Sequence, residues 1–361
     1  MLGISIYLNN KLTAAGESFI KDAKQHGFEA IFTSLHIPED DPSQYRERLK
    51  ALGQLSKDNS MTLMADISSK SMEHLGLSFS TAAELLNWGV DGLRIDYGID
   101  EQTIISLSQQ MRIALNASTI TETKLDQLTK NGLITGHTEA WHNFYPRPET
   151  GLSKAYLIEK NQLFHKYGIQ TMAFIPGDAS LRGPLHLGLP TLEKHRNLSP
   201  FAAYLELIHS CEVDKVHVGD PYLSQTALVQ FAEWQKERVI TLRAWPYLEK
   251  RLRETIPVSH TNRPDPARDC LRSAESRTYA SENGMKYEPY QTTERPRGSI
   301  TIDNKLYGRY AGELQITLTD LPKDDKVNVV GQIISEDLPL LDAVEPGGKF
   351  NIKWIETVNN N

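Results

Sequence analysis

Several short apolar runs in this chain end on a polar residue that could act on a substrate. Leu63-Met64-Ala65 stops at Asp66, and Leu93-Arg94-Ile95 stops at Asp96. Ile175-Pro176-Gly177 is followed by Asp178, and Val216-His217-Val218-Gly219 by Asp220. Carboxylates gathered at one rim are the stock from which glycosidic-bond hydrolysis draws an acid and a nucleophile or base. Ser34, His36, Asn116, Ser118, His142, Asn143 and His217 close or follow other apolar runs and offer the hydrogen bonds that a sugar needs.

The sharpest local feature is Gly89-Val90-Asp91-Gly92-Leu93-Arg94-Ile95-Asp96. Residues two apart on a strand share a face, so Arg94 and Asp96 point the same way. An arginine beside a carboxylate favours the ionised form, which suits a nucleophile or a stabiliser of positive charge on a sugar ring. The pattern is similar to the fourth-strand signature of the amylase-type glycosidases, in which the aspartate is the nucleophile. The competing role is an interior ion pair without chemistry. Asp66 has its own competitor, capping the turn through Ser68 or Ser69, and Asp220 could merely start a turn before Pro221.

Two loops carry the remaining candidates. Trp141-His142-Asn143-Phe144-Tyr145-Pro146-Arg147-Pro148 sets aromatic faces, Tyr145 among them, beside hydrogen-bonding groups and an arginine held between prolines. The second loop runs from Ile175 through Asp178 and Arg182-Gly183-Pro184 to Gly188-Leu189-Pro190-Thr191-Leu192-Glu193-Lys194-His195-Arg196. Its carboxylates, Asp178 and Glu193, join Asp66 and Asp96 as catalytic candidates, while Arg147, Arg182 and Arg196 are the candidate anion ligands. A loop this long in a compact domain is usually functional.

The elements that must position these groups are legible from periodicity. Apolar strand-like runs alternate with amphipathic stretches up to about residue 237: Gly3–Leu8, Ala30–Leu35, Met61–Ile67, Val90–Tyr97, Arg112–Ala117, Ala140–Phe144, Ile169–Ile175 and Lys215–Gly219, each with a helical segment after it. Such repetition implies parallel strands joined by crossovers. Gly27, Gly89 and Gly168 stand where helices must turn back toward the sheet. The first strand leads into Tyr7-Leu8-Asn9-Asn10 with no glycine, so the nucleotide loop of a doubly wound sheet is missing. We therefore expect a (β/α)8 barrel over residues 1–237, with its site at the carboxyl ends of the strands.

From residue 238 the texture changes. A polar, proline- and arginine-rich connector, Arg251–Arg297, precedes strand-like runs at Ile300–Asp303, Glu313–Leu318, Val327–Ile334 and Phe350–Ile355, with a short helix at Glu336–Val344. Residues 238–361 are thus read as a smaller, mostly β domain. In Ser299-Ile300-Thr301-Ile302-Asp303 alternation places the isoleucines on one face and Ser299, Thr301 and Asp303 on the other, which makes Asp303 a further candidate for substrate binding.

A net charge of −7 gives no general attraction to nucleic acid or anionic lipid, so a phosphate-bearing ligand needs a local cationic pocket. The 2 cysteines, Cys211 and Cys270, fit reduced thiols in a reducing compartment. No run approaches a membrane span, and Met1–Leu8 is too short for a secretory signal. The expected location is cytoplasmic. No HExxH or Cys/His cluster appears, so no metal or cofactor is expected.

The motifs His142-Asn143-Phe144-Tyr145-Pro146-Arg147-Pro148, Gly183-Pro184 and Gly188 to Arg196 resemble those of the 6-phospho-N-acetylmuramidases, as do Arg297 to Asn304, Tyr307 to Gln315 and Asn328-Val329-Val330-Gly331. The resemblance runs over essentially the whole chain. It implies a TIM-like barrel with a cyclophilin-like C-terminal domain. It also implies hydrolysis of the β-1,4 bond in N-acetylmuramic acid 6-phosphate–N-acetylglucosamine during cell-wall recycling. The partner is then a phosphorylated amino-sugar disaccharide. The alternatives are a non-catalytic phospho-sugar binding protein and an enzyme cleaving the lactyl ether of the same sugar phosphate. Asp66 and Asp96 are expected to be essential to the chemistry while contributing little to folding.

Overall fold

The structure, a computed structural model, describes all residues except 36, 38–40, 97, 250–252, 277–286 and 356–361. His36 and Tyr97 therefore lie outside the described residues. The chain divides into two compact units, Met1–Val229 and Gln230–Asn361.

The first unit is the expected closed barrel of eight parallel strands in sequential order. They are β1 (Leu2–Ser5), β2 (Ala30–Ser34), β3 (Thr62–Ile67), β4 (Gly92–Ile95), β5 (Arg112–Asn116), β6 (Thr138–Trp141), β7 (Gln170–Ile175) and β8 (Lys215–Val218). The helices are α1 (Ala14–Gln25), α2 (Tyr45–Asp58), α3 (Ser69–His74), α4 (Glu84–Asn87), α5 (Glu101–Gln110), α6 (Glu122–Lys130), α7 (Lys154–Lys166), α8 (Pro200–Ser210) and α9 (Gln225–Glu237), the last straddling the division between units. Their starts are written in the sequence. Thr13, Asp100, Thr121, Ser153 and Ser199 each accept a backbone N–H in the first turn of α1, α5, α6, α7 and α8, caps worth about 1 kcal/mol apiece. The helical segment expected before β4 is only the four-residue α4, preceded by a 3-10 turn at Phe79–Thr81.

Strand alternation decides what fills the barrel. Phe32, Met64, Ala114, Trp141, Met172 and Phe174 form one buried cluster across its interior, with Phe144 packed against it. At the amino-terminal end of the strands Lys215 pairs with Glu139 at 2.6 Å, and the Trp141 indole donates to the other Glu139 oxygen at 2.8 Å. The His217 ring lies just above, 4.9 Å from Trp141 between centroids. A Cβ at position 3 would sit 2.2 Å from that ring, so only Gly3 fits there.

The second unit is a seven-stranded sheet in the order β10-β15-β9-β14-β12-β13-β11. Its strands are β9 (Val239–Pro246), β10 (Ser259–Thr261), β11 (Cys270–Arg272), β12 (Ser299–Asp303), β13 (Leu314–Thr317), β14 (Val327–Ile333) and β15 (Lys349–Trp354). The expected irregular connector contains β10 and β11, whose three residues are too few to show a period. The stretch read as a short helix is a 3-10 segment, Ser335–Ala343, with Pro339 inside. Its Asp337 is fully buried and takes the Arg243 guanidinium at 2.7 and 2.9 Å.

The polar face expected on β12 is corrected by the sheet order. β12 is an interior strand between β13 and β14, and all five residues are buried. Ser299 donates to Pro296 O at 2.8 Å and Thr301 to Gln315 O at 3.4 Å. Asp303 is accordingly a buried, 5 %-exposed residue at the end of an interior strand.

Candidate active site

At the carboxyl ends of β2 to β6 the barrel carries two hydrogen-bonded sets of polar side chains. Parallel register sets Ser34 beside Asp66 and Asp66 beside Arg94. Ser34 donates to Asp66 Oδ2 at 3.3 Å, and Arg94 Nη1 donates to Asp66 Oδ1 at 2.7 Å. The other terminal nitrogen of Arg94 donates to Asn143 Oδ1. One strand further on, Asn116 Nδ2 donates to Asp96 Oδ1 at 3.2 Å and its own Oδ1 accepts from Ser118 N at 3.0 Å. The Ser118 and Tyr145 hydroxyls meet at 3.3 Å. Six of the expected residues, Asp66, Arg94, Asp96, Asn116, Asn143 and Tyr145, thus stand together.

Two expectations about this cluster change. The charge-assisted bond of Arg94 goes to Asp66 on the next strand, although in sequence Arg94 stands beside Asp96. Both partners of that bond are under 9 % exposed at the side chain, so Asp66 also holds the fold together. Breaking a buried ion pair strands the other charge and costs about 3–5 kcal/mol.

His142 and His217 are not at the rim. β6 and its extension alternate, so Glu139, Trp141 and Asn143 face inward and His142 faces the helices. There His142 Nε2 meets Asn161 Oδ1 of α7 at 2.8 Å, and Asn161 donates on to Cys211 O. Burial lowers the His142 pKa to about 4, the Asn161 bond opposing it. His217 faces inward but one layer too low. The rim position of β8 is Gly219, and burial lowers the His217 pKa to about 3.

The β7 and β8 loops sort their charges into ties and one exception. Asp220 is buried and accepts Gly177 N at 2.9 Å, Leu189 N at 3.0 Å and Arg182 N at 2.9 Å, so a single carboxylate closes the Arg182–Leu189 segment. A Cβ on Gly177 would come within 2.6 Å of Tyr222 O and 2.8 Å of Asp220 Cβ. Asp178 is exposed and accepts Ser224 N at 2.7 Å and Ser224 Oγ at 2.6 Å, ahead of α9. Glu193 accepts Arg196 Nε and Nη2, both at 2.7 Å, and Gly151 N at 2.8 Å. The Arg196 bond, with the neighbouring backbone N–H groups, lowers the Glu193 pKa to about 2. Arg196 also donates to the carbonyls of Tyr145, Arg147 and Gly188. Asp178, Glu193, Asp220 and Arg196 therefore have their polar atoms committed to shaping loops.

The remaining two arginines differ. Arg147 is exposed. Arg182 is half-buried, its guanidinium 4.1 Å above the Tyr7 ring and 6.0 Å from Phe144. Tyr7, which composition and motif reading passed over, continues the inward alternation Gly3, Ser5, Tyr7 one residue past β1. Extending that alternation beyond the apolar run would have found it. Among the described residues no group of three or more His, Cys, Asp or Glu could hold a metal ion, and no described helix is long and apolar enough to cross a membrane.

Fold and rim together define a (β/α)8-barrel protein with a carboxylate- and arginine-bearing site at the carboxyl ends of its strands. The family model described as "6-phospho-N-acetylmuramidase, N-terminal" matches residues 2–233, and its C-terminal counterpart matches residues 240–353. The chain belongs to this family. A solved structure of a conserved protein of unknown function from Enterococcus faecalis is 42 % identical, with a TM-score of 0.89 over 100 % of this chain and 98 % of that one. An uncharacterised B. cereus protein is 29 % identical, with a TM-score of 0.70 over 98 % and 99 %. No curated protein matches.

Proposed function

We propose that the protein is a 6-phospho-N-acetylmuramidase in activity as well as family, hydrolysing the β-1,4 bond between N-acetylmuramic acid 6-phosphate and N-acetylglucosamine. The observation that carries this reading is the rim set in which Asp66 and Asp96 stand on neighbouring strands, served by Arg94, Asn116, Asn143 and Tyr145. Glycosidic hydrolysis needs two carboxyl groups flanking the bond, one to protonate the leaving oxygen and one to attack or to activate water. Arg94 fixes Asp66 in orientation, and Asn116 does the same for Asp96. Asp178 and Glu193 fit this work less well, since their oxygens are spent on loop contacts.

The substrate is a phosphorylated amino-sugar disaccharide met in the cytoplasm during cell-wall recycling. Free Cys211 and Cys270 agree with a reducing compartment. The test is incubation with the phosphorylated disaccharide and chromatography of the products. Release of N-acetylglucosamine is expected. Release of lactate without cleavage of the disaccharide would point to the ether-cleaving alternative, and tight binding without products to a sugar-binding protein.

A further inference from the structure

We propose that Arg182, seated on the face of Tyr7, is the group that reads the 6-phosphate, and that Tyr7 is its positioning residue. This rests on the phospho-sugar reading above and adds where the phosphate goes. The argument starts by elimination among the loop and rim arginines. Arg94 is spent on Asp66 and Asn143. Arg196 is spent on Glu193 and a ring of carbonyls. Arg147 is exposed, with nothing to hold its guanidinium in one pose. Arg182 alone of the four is held, against the ring and hydroxyl of Tyr7, without being neutralised: no ion pair or side-chain hydrogen bond to a carboxylate ties it among the described residues.

The way it is held matters. A guanidinium seated 4.1 Å over an aromatic ring is held by that ring and, with five N–H donors, keeps several for an anion after meeting the Tyr7 hydroxyl. Its backbone is fixed as well, because Arg182 N donates to buried Asp220. Tyr7 in turn is pinned by donating its hydroxyl to Gly219 O. Burial raises the Tyr7 pKa far above the usual phenol range, so the hydroxyl keeps its proton and stays a donor. β7, β8 and β1 thus converge on one cationic seat, in the sector where barrels commonly bind phosphate.

Strand order sets where this seat lies. β7, which precedes Arg182, stands across the ring from β3, and β8 from β4. Eight strands about 4.8 Å apart and tilted about 36° enclose a ring roughly 15 Å across between backbones. Side chains reaching in from both sides narrow that span. Phe144 lies between, 6.0 Å from the Arg182 guanidinium and one residue from Asn143, so it provides an apolar floor beneath the ring.

The experiment compares kcat/KM for the phosphorylated and unphosphorylated disaccharides, with titration calorimetry of inorganic phosphate as an activity-independent readout. Wild type is expected to prefer the phosphorylated substrate and to bind phosphate. Arg182→Ala should reduce that preference by roughly 10- to 100-fold through KM, as losing charge-assisted hydrogen bonds implies, and abolish phosphate binding. Arg182→Lys should recover part of both. Tyr7→Phe should keep the preference and Tyr7→Leu should lose most of it. Circular dichroism of each variant checks that the barrel is intact. Unchanged preference and phosphate binding in Arg182→Ala would overturn the assignment. A wild type that cleaves both disaccharides equally, yet binds phosphate only with Arg182 present, would refute the phospho-sugar reading and leave the anion seat standing.

Discussion

The barrel carries a buried ion pair at each end. At the carboxyl rim Arg94 holds Asp66 at 2.7 Å, and at the opposite end Lys215 holds Glu139 at 2.6 Å. Length and burial are nearly the same. The surroundings are not. Glu139 is finished off by the Trp141 indole, beneath the apolar plug of the barrel. Asp66 belongs to a chain of donors and acceptors that runs through Arg94 to Asn143 and stands beside half-buried Asp96. A buried charge pair is therefore a poor sign of function by itself. Which end of the strand it occupies, and whether its neighbours still face an open rim, distinguishes chemistry from support.

The widest separation between the two ends should appear in turnover. Asp96→Asn is expected to lower kcat by roughly 10²–10⁴-fold with a melting temperature close to wild type. Asp66→Asn should lower kcat as much and lower the melting temperature too. Glu139→Gln should cost about 3–5 kcal/mol in urea unfolding while kcat per folded molecule stays near wild type. A Glu139→Gln enzyme that is fully folded and inactive would erase the distinction between the ends.

Arg196→Ala comes next in size. It removes the cation that ties the β6 and β7 loops through Glu193 and the carbonyls of Tyr145 and Gly188. A loss of about 2–3 kcal/mol should accompany a rise in KM. A rise in KM specific to the phosphorylated substrate, without loss of stability, would make Arg196 a ligand after all.

An effect of at least similar size on stability should follow from pH. His142 has a folded pKa of about 4, below the 6.5 of an exposed histidine. The unfolded chain therefore binds the extra proton first. The stability this burial contributes is complete above pH 6.5 and falls as pH drops toward 4, by about 2 kcal/mol at pH 5. His217 acts in the same direction down to about pH 3. Glu193, depressed to about 2, adds a loss between pH 4.5 and 2. Urea unfolding from pH 7 to 4 checks the sign, and His142→Gln should flatten the curve. The smallest change is expected from His217→Phe. Neither ring nitrogen has a hydrogen-bond partner among the described residues, so an apolar ring of similar size should shift stability by under about 1 kcal/mol and leave kcat unchanged. A large loss of activity would return His217 to the site.

Much of the barrel was legible because parallel strands buried on both faces read as apolar runs and helices carry their caps in sequence. Asp66, Arg94, Asp96, Asn116 and Asn143 were legible for the same reason, since a polar residue closing such a run stands at the rim. What was illegible is whatever depends on parity or on contacts across the ring. His142 closes its run as plainly as Asn143 does, yet it points outward. Arg94 stands beside Asp96 in sequence and bonds Asp66 in space. Arg182 and Arg196 look alike in their loop, and only the folded chain shows that one guanidinium is saturated and the other stacked on Tyr7. In the second unit, three-residue strands such as β10 carry no period to read.

The closure of the barrel has a consequence in time. β1 pairs with β2 through residues about thirty positions away, but its other edge pairs with β8, Leu2 facing Val216. At roughly 5–20 residues per second of synthesis, that partner emerges on the order of 10–40 s after β1 does. The second unit repeats the delay, because β9 pairs in parallel with β15, Val239 facing Lys349. Each unit therefore spends part of its birth with an apolar strand edge waiting for a partner not yet made. Those intervals, more than the finished molecule, are when the chain is most open to aggregation and most in need of a chaperone.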